Sequence, residues 1–333
     1  MRIIVDAFGG DHAPDEIIKG AVKAADELSV EVVLCGDESK IKESAQKKNV
    51  SLEKIEIMQA SEVFDIHTEP QKLLREGKNT SMYVGMDALK QGKGDAFVSA
   101  GSTGALLVGA TFITKRLKGV KRCALMPIMP ASNGPIVMLD AGANTECRAE
   151  MLVQFAIMGT CYAKNVLGIE NPRVALINNG AEETKGRELE LEAYKLLSQS
   201  PVNFVGNIEA RYLPLGGCDV AVTDGFTGNV ALKLYEGMGK FISNELKAMF
   251  GGGIFSKLGA LFVYKKIKAL KKRMDYKEYG GAVFAGASKP IIKAHGSSDA
   301  RAIFNAIRQA RDCVSSDVVG NIKEYIEEMT DNE

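Results

Sequence analysis

The sequence has no excess of charge of either sign, because 42 lysine and arginine residues are matched by 42 aspartate and glutamate residues. A protein that binds nucleic acid through its general surface carries a strongly basic face. We therefore expect no nucleic-acid partner, and any charged partner must be met by a local patch. With 333 residues, 46% of them hydrophobic, the chain has ample material for a buried core.

The sequence also lacks the cysteine and histidine spacings that mark metal sites. Its six cysteines include no Cys-x-x-Cys pair, and only three histidines accompany them. The first apolar run, residues 3–5, is broken by Asp6 and is too short for a secretory signal. We expect no metal site, reduced thiols and a cytoplasmic location.

Three motifs of common enzyme classes are absent. No Gly-x-x-x-x-Gly-Lys-[Ser/Thr] loop exists, and no Gly-x-Gly-x-x-Gly follows a predicted strand. No Gly-x-Ser-x-Gly turn is present, which argues against a serine hydrolase. The uncharged stretch 96–114 approaches the length of a membrane span, but its serines and glycines favour a strand, a loop and a helix. We expect no nucleotide cofactor.

What the sequence does contain is a repeated order of apolar strand, polar or glycine-rich loop, and amphipathic helix. This order predicts a three-layer α/β fold with helices on both faces of a mostly parallel sheet. The predicted strands are residues 2–7, 30–34, 55–58, 96–98, 136–139, 173–177, 202–205 and 220–222. Three prolines within residues 123–135 predict an extended connection there. No repeat or shift in composition divides the chain, so residues 1–333 are predicted to form a single domain.

The loop at residues 99–104 is the most informative, because it carries no charge and joins a predicted strand to a predicted helix. Its glycines allow close approach of a ligand, and Ser102 and Thr103 can cap the helix. Free N–H groups at a helix start attract anions such as phosphate. Similar loops lie within residues 3–14, 136–148 and 219–232. The carboxyl ends of parallel strands share one rim of a sheet, so we expect these loops to form one hollow there.

Several polar side chains in these loops suit an anionic small substrate. Lys185 offers a positive charge within a glycine-bounded loop, and His295 can carry a proton or donate a hydrogen bond. The alternatives are a solvated surface lysine and a histidine that fixes its own loop. Asp6, Asp11 and Asp224 would repel phosphate unless they orient donors or cap helices, and their spacing defines no metal set.

Residues 235–275 are predicted to form a helical hairpin that protrudes from the domain, with Gly251, Gly252 and Gly253 at its turn. The second arm combines an apolar face with seven basic residues between 257 and 273. Such a helix can lie on an anionic membrane, through Ile254, Leu258, Leu261 and Phe262. The alternative is a helix packed on the domain or across a dimer, with its lysines in water.

Five motifs in order along the chain resemble the bacterial phosphate acyltransferases of phospholipid synthesis. They are VDAFGGDHAP from Val5, SAGSTGA from Ser99, LDAGAN from Leu139, VTDGFTGNV from Val222 and KAHGSSD from Lys293. The segment NIEAR, from Asn207, also fits the family pattern. Each motif is weak by itself, but together they span nearly the whole chain.

The resemblance implies an enzyme that transfers a fatty acyl group from acyl-acyl carrier protein to inorganic phosphate. The acyl phosphate would then serve a membrane glycerol-3-phosphate acyltransferase. It also implies a homodimer without nicotinamide or metal, whose fold is similar to isocitrate and isopropylmalate dehydrogenases and to phosphotransacetylases. A location at the inner face of the cell membrane would suit that product.

The site residues follow from the resemblance and the loop chemistry together. The phosphate-binding candidates are Ser99, Gly101, Ser102, Thr103, Gly104, Ser297 and Ser298. The candidate donors and guides for catalysis are His295, Asn144, Asn229 and Lys185. The residues expected to orient the loops are Asp6, Gly9, Gly10, Asp11 and Asp224.

Phosphate is itself a good nucleophile and a thiolate a good leaving group, so we expect direct displacement without an acyl-enzyme. Positioning and oxyanion stabilisation then matter more than a general base. Three alternatives remain open: a phosphotransacetylase-like enzyme that uses acyl-CoA, a dehydrogenase that shares the fold, and a non-catalytic adaptor for acyl carrier protein.

Overall fold

The computed structural model describes residues 1–251, 253, 262–270 and 276–330. Within them, eleven strands form one sheet in the order β3-β2-β1-β4-β11-β10-β5-β6-β9-β7-β8. The strands are β1 Arg2–Asp6, β2 Glu31–Gly36, β3 Ile55–Gln59, β4 Ala96–Ser99, β5 Ala124–Ala131, β6 Gly134–Leu139, β7 Val174–Asn178, β8 Phe204–Glu209, β9 Val220–Val222, β10 Ala282–Ala285 and β11 Ile291–Lys293.

The helices cover both faces of this sheet. They are α1 Asp15–Glu27, α2 Glu38–Lys47, α3 Ser81–Lys90, α4 Thr103–Phe112, α5 Ala149–Asn165, α6 Glu188–Ser198, α7 Gly225–Gly251, α8 at residues 262–270, α9 Ala300–Ser315 and α10 Val318–Thr330. Short 3₁₀ helices lie at Pro70–Leu74, Ala210–Tyr212 and Tyr276–Tyr279.

Successive side chains of a strand point to opposite faces of the sheet, and this divides the core into layers. Ile3 and Val5 pack with residues of α1, α5 and α9, whereas Ile4, which points the other way, packs with residues of α3 and α4. On the far half of the sheet, Ile136 and Met138 pack beside α7. Each such isoleucine, fully removed from water, contributes roughly 1.5–3 kcal/mol to stability. The predicted three-layer α/β fold is confirmed.

The sheet is mostly parallel, as predicted, but three of its pairings are antiparallel. β10 pairs antiparallel with both β11 and β5, and β5 pairs antiparallel with β6. β5 lies where the prolines predicted only an extended connection, and every residue of it is buried. β10, β11 and α10 were not predicted at all. Because three reversals separate β11 from β6, the strands on the two sides of this antiparallel block run in opposite directions.

The helical hairpin lies only partly within the described residues. α7 ends at Gly251, where the glycines predicted a break, and residues 262–270 are helical. Of the predicted membrane contacts, Ile254, Leu258 and Leu261 fall outside the described residues. Phe262 is described, and it is 90% exposed.

Candidate functional site

The direction of the strands divides the candidate loops between two edges of the sheet. Strands β1, β4 and β11 run parallel and side by side, and the residues that follow them, 6–14, 99–104 and 293–299, form what we call the β4 edge. Strands β6, β9 and β7 are parallel to one another but reversed, and residues 140–147, 178–187 and 222–229 form the β6 edge at the opposite ends of the strands. The prediction that all these loops share one rim of the sheet is wrong, because the antiparallel strands were missed.

Asp6 holds the loops of the β4 edge together. Its carboxylate is 2% exposed and accepts hydrogen bonds from the hydroxyls of Ser81 and Ser99, each at 2.6 Å, and from the Phe8 N–H at 3.2 Å. Burial raises the pKa of Asp6 above its ordinary value, while these donors act in the opposite direction. The side chain therefore orients donors and presents no free charge to a ligand.

The first loop lies directly against the other two. A Cβ on Gly9 would come 2.7 Å from the main-chain nitrogen of Gly101, so only glycine fits there. Gly10 has a φ of +98°, which favours glycine, and the Asp11 N–H donates to the Gly296 carbonyl at 2.8 Å. These contacts bring three separate segments of the sequence to one place.

The 99–104 loop presents unpaired N–H groups. The Ser102 hydroxyl caps α4 by accepting from the Ala105 N–H at 3.4 Å, as predicted. No acceptor among the described residues pairs with the N–H groups of Thr103 and Gly104. The first turn of α4 contains no acidic residue. This helix start therefore offers donors and a positive dipole end to an anion.

The turn after β11 orients the His295 imidazole. Nδ1 accepts from the Ser297 N–H at 3.2 Å and lies 2.9 Å from the Ser297 hydroxyl, which leaves the ring proton on Nε2. Partial burial lowers the pKa of His295, so the ring is neutral at neutral pH. Ser298 is 2% exposed, and its hydroxyl has no hydrogen-bond partner within the described chain.

Lys293 is a residue of this edge that the sequence analysis did not single out. Its amine donates to the Ala100 carbonyl at 3.2 Å and to the Ala294 carbonyl, directly beneath the 99–104 loop. Burial lowers the pKa of Lys293 to about 8. A lysine within an apolar strand resembles an ordinary surface residue, and only its position in the KAHG motif could have drawn attention to it.

At the β6 edge, Asp140 has the role that Asp6 has at the β4 edge. The side chain is fully buried and accepts from the N–H groups of Leu125, Ala143 and Asn144 and from the Asn144 amide. Burial raises the pKa of Asp140, although every one of these donors favours the ionised form.

The structure gives Asn144 and Asn229 different surroundings. Both side-chain N–H groups of Asn144 are engaged, with the Cys123 carbonyl and with Asp140, each at 2.8 Å. Asn144 thus anchors its loop in this structure. Asn229 is exposed near the start of α7, and a Cβ on Gly142 would lie 3.4 Å from its amide carbon.

Lys185 and Asp224 belong to the β6 edge as well. Lys185 is exposed in the loop after β7, and its carbonyl accepts from the Asn178 amide at 3.0 Å. Asp224 is 3% exposed, accepts from the Thr227 N–H at 2.7 Å and is ion-paired with Arg187 at 2.5 Å. Arg187 also contacts Glu190, so it ties the Lys185 loop to the start of α7.

Helix α7 links the two edges. It begins at the β6 edge, and further along it Lys233 and Glu236 are close enough to His295 to influence its pKa. The intervening Tyr235 hydroxyl donates to the Pro130 carbonyl near the end of β5. One helix therefore connects the loop of Asn229 with the loop of His295.

No helix in the described ranges is long and apolar enough to cross a bilayer. The same residues contain no group of three or more histidine, cysteine or acidic side chains placed to hold a metal ion.

The fold of the chain is similar to that of known α/β proteins. A phosphotransacetylase from Streptococcus pyogenes superposes with a TM-score of 0.62 at 18% identity, covering 95% of this chain and 94% of that one. A putative 4-hydroxythreonine-4-phosphate dehydrogenase from Salmonella typhimurium gives 0.53 at 12% identity, covering 94% and 98%. At such identities the likeness concerns the fold alone, and it agrees with the dehydrogenase-like fold that the motifs implied.

Comparison of sequences gives the family. The family model described as "Fatty acid synthesis protein" matches residues 1–321. The phosphate acyltransferase of Caldanaerobacter subterraneus subsp. tengcongensis is 48% identical over 328 residues, 98% of each chain. That of Thermoanaerobacter pseudethanolicus is 49% identical over 332 residues, 99% of each chain. With the five motifs in order and matches over nearly its full length, the chain belongs to the phosphate acyltransferase family and is an acyltransferase.

Proposed function

We propose that the chain transfers a fatty acyl group from acyl-acyl carrier protein to inorganic phosphate, and that phosphate binds at the β4 edge. The observation that carries this proposal is the uncharged 99–104 loop, where the N–H groups of Thr103 and Gly104 have no partner within the described chain. Ser99, Gly101 and Ser102 line the same loop, and Ser297 and Ser298 approach from the turn after β11. Acyl transfer to phosphate agrees with the family to which the chain belongs.

The reaction is a direct displacement. A phosphate oxygen attacks the thioester carbonyl, the new C–O bond forms as the carbonyl becomes an oxyanion, and the C–S bond then breaks to release the carrier thiolate. Positioning of two reactants contributes about 7–11 kcal/mol in favourable cases, and one oxyanion donor roughly 3–4 kcal/mol. The Nε2–H of His295 is the donor that we assign to the oxyanion or to the departing sulfur.

We further propose that the enzyme is a homodimer built on α7. Five large apolar side chains on one face of this helix are 48–67% exposed: Phe226, Val230, Leu234, Met238 and Phe241. Their spacing of three or four residues forms one continuous stripe. Because α7 runs from the β6 edge towards the β4 edge, antiparallel pairing with its copy brings the β6 edge of one protomer towards the β4 edge of the other. Asn229 and Lys185 would then serve the partner's phosphate site, Lys185 as a guide for the acidic carrier or phosphate.

We also propose that the helical hairpin contacts the membrane surface. Phe262 and Tyr264 are exposed in α8, beside the exposed Lys265, Lys266 and Lys268. Aromatic and basic side chains together suit the surface of an anionic bilayer, where a membrane glycerol-3-phosphate acyltransferase could receive the acyl phosphate. We expect Phe262→Glu to reduce co-sedimentation with anionic vesicles, and unchanged co-sedimentation would refute the contact.

The experiment that tests the function is phosphate-dependent thiol release from acyl-acyl carrier protein and, separately, from acyl-CoA. We expect faster release from the carrier-bound substrate, and a loss of about 100- to 1,000-fold in kcat for His295→Ala. A preference for acyl-CoA would instead indicate a phosphotransacetylase-like enzyme. Binding of acyl carrier without thiol release would indicate an adaptor, and nicotinamide binding in a fluorescence titration a dehydrogenase.

The route of transfer needs a separate measurement. Direct displacement predicts that no acyl-enzyme accumulates when phosphate is withheld. Intact-mass analysis after incubation with acyl donor alone checks this. A stable acyl adduct on Cys147 or on a serine would contradict the proposed route.

A further inference from the structure

Lys293 lies at the centre of the β4 edge and has no role in the mechanism above. It is the last residue of β11 and pairs in register with Ser99, the last residue of β4. Its side chain bends over the end of β4 to reach the Ala100 carbonyl. The amine therefore lies beneath the 99–104 loop and near the His295 turn.

The amine has hydrogen-bond acceptors but no counter-ion. Two main-chain carbonyls, those of Ala100 and Ala294, accept from Nζ, and no carboxylate of the described residues ion-pairs with it. A charge held away from water is costly unless it is paired. Carbonyl dipoles satisfy two of the three ammonium protons but do not neutralise the charge.

The acidic side chains of this edge do not supply the missing negative charge. Asp6 acts on Lys293 from a distance, but its carboxylate is already bound by Ser81 and Ser99. Asp11 also acts from beyond ion-pairing distance. Lys233 is paired with Glu236 at 2.9 Å and adds a repulsion to the Lys293 amine. An incoming anion is therefore the partner that this environment lacks.

We propose that Lys293 is the cationic residue of the phosphate site, and that its ammonium group pairs with the phosphate dianion bound at the start of α4. This inference rests on the proposed function and adds a residue to it. Helix N–H groups contribute only partial charges, so a dianion gains from one full positive charge in the same hollow. Burial, together with repulsion from Lys233, lowers the pKa of the amine to about 8, and a bound anion would favour its charged form.

A purely structural lysine would have different consequences. If Lys293 only joined the ends of β4 and β11, its removal would lower stability and kcat without a selective effect on phosphate. If Lys293 binds phosphate, its removal raises the KM for phosphate and leaves the KM for the acyl donor nearly unchanged.

The test compares Lys293→Met, which keeps an unbranched side chain of similar length without the charge, with Lys293→Arg, which keeps the charge. Lys90→Met, at an exposed position at the end of α3, is the matched control. We expect Lys293→Met to raise the KM for phosphate at least tenfold, which corresponds to about 1.4 kcal/mol. Lys293→Arg should recover part of the loss, and Lys90→Met should behave as wild type.

A binding measurement without turnover supports the kinetics. Inorganic phosphate, added at constant ionic strength, should raise the melting temperature of the wild-type protein and of Lys90→Met but not that of Lys293→Met. An unchanged KM and an undiminished thermal shift in Lys293→Met would overturn the inference. If the wild-type protein releases no thiol at all, the proposed function fails first, which is a separate result.

If Lys293→Met fails to fold, the pH profile of the wild-type enzyme tests whether Lys293 binds phosphate. The groups that face Lys293 are Asp6, Asp11 and Lys233, with His295 and Glu236 beside them. The protonated amine is required, so kcat/KM for phosphate should fall as pH rises through about 8. His295 titrates on the acidic side because its pKa is lowered, so it does not produce this limb. A profile that stays flat from pH 7 to beyond the Lys293 pKa of about 8 would overturn the inference.

Discussion

At the scale of single residues, two buried carboxylates organise the loops from below. Asp6 binds two hydroxyls and an N–H at the β4 edge, and Asp140 binds main-chain N–H groups at the β6 edge. Neither side chain has capacity left for a ligand, yet each fixes donors that a ligand needs. Their contribution to activity is therefore indirect. Loss of either carboxylate should first lower the stability of the folded protein.

Removal of the Asp6 carboxylate should lower the free energy of unfolding more than removal of an exposed carboxylate does. Asp6→Ala leaves the hydroxyls of Ser81 and Ser99 without their acceptor, and each buried unsatisfied group costs roughly 1–3 kcal/mol. Asp26→Ala, which breaks only an exposed pair with Lys54, should cost less than about 1 kcal/mol. Urea unfolding of both variants measures the difference. Equal losses would show that the Asp6 network does not stabilise the loops.

The sequence alone could identify residues whose role depends only on their neighbours along the chain. Ser102 was predicted at a helix start, and it accepts the capping hydrogen bond, because capping depends on a few neighbouring residues. The surroundings of Lys293 and Asn144 depend on carbonyls far away in sequence or across a strand end, such as Ala100 and Cys123. Those contacts exist only after the sheet has formed.

At the scale of elements, the parallel strands were predictable and the antiparallel block was not. β1, β2, β4 and β9 are short apolar runs bounded by polar loops. β5 contains Pro127 and Pro130, which disfavour a central strand because proline cannot donate to a ladder. β10 and β11 follow one another without a helix between them, so the strand–loop–helix order that predicted the other strands is missing there. Missing these three strands hid the reversal that separates the two edges.

The start of α4 permits a test that separates helix capping from anion binding. Aspartate caps a helix about as well as serine, but it adds a negative charge where phosphate is expected. Ser102→Asp should therefore keep near wild-type stability while it raises the KM for phosphate roughly tenfold or more, an effect of about 1.4 kcal/mol.

Ser102→Ala provides the matched control for that variant. It removes the cap at a cost of about 1 kcal/mol in stability, and it leaves the site uncharged. Thermal melts and phosphate titrations of both variants distinguish the two effects. Unchanged phosphate kinetics in Ser102→Asp would show that the anion binds elsewhere.

At the scale of the whole molecule, the proposed site residues are divided between two edges, so an active site that uses both needs a way to bring the edges together. Within one chain, the loop of His295 and the loop of Asn229 lie at opposite ends of the strands. The exposed apolar stripe on α7 gives a physical reason for pairing, since each large apolar side chain buried there contributes roughly 1.5–3 kcal/mol. Antiparallel pairing of α7 would resolve the separation.

Disruption of the α7 stripe should therefore dissociate the enzyme. Leu234 is 67% exposed near the middle of the stripe, and Leu234→Glu would bury a charge against the partner helix. We expect sedimentation equilibrium to show a dimer for the wild-type protein and a monomer for this variant. Lys240→Glu, an equally drastic change of charge at an exposed position of the same helix, should stay dimeric. A monomeric wild-type protein would refute the homodimer.

Complementation between inactive variants tests whether the partner completes the site. His295→Ala removes a donor at the β4 edge, and Asn229→Ala removes one at the β6 edge. If each active site combines the β4 edge of one protomer with the β6 edge of its partner, a mixed dimer contains one site with both residues intact. Co-expression or subunit exchange should then restore part of the activity that either variant lacks alone. If both residues act within a single chain, every site in the mixed dimer lacks one of them, and activity should not return.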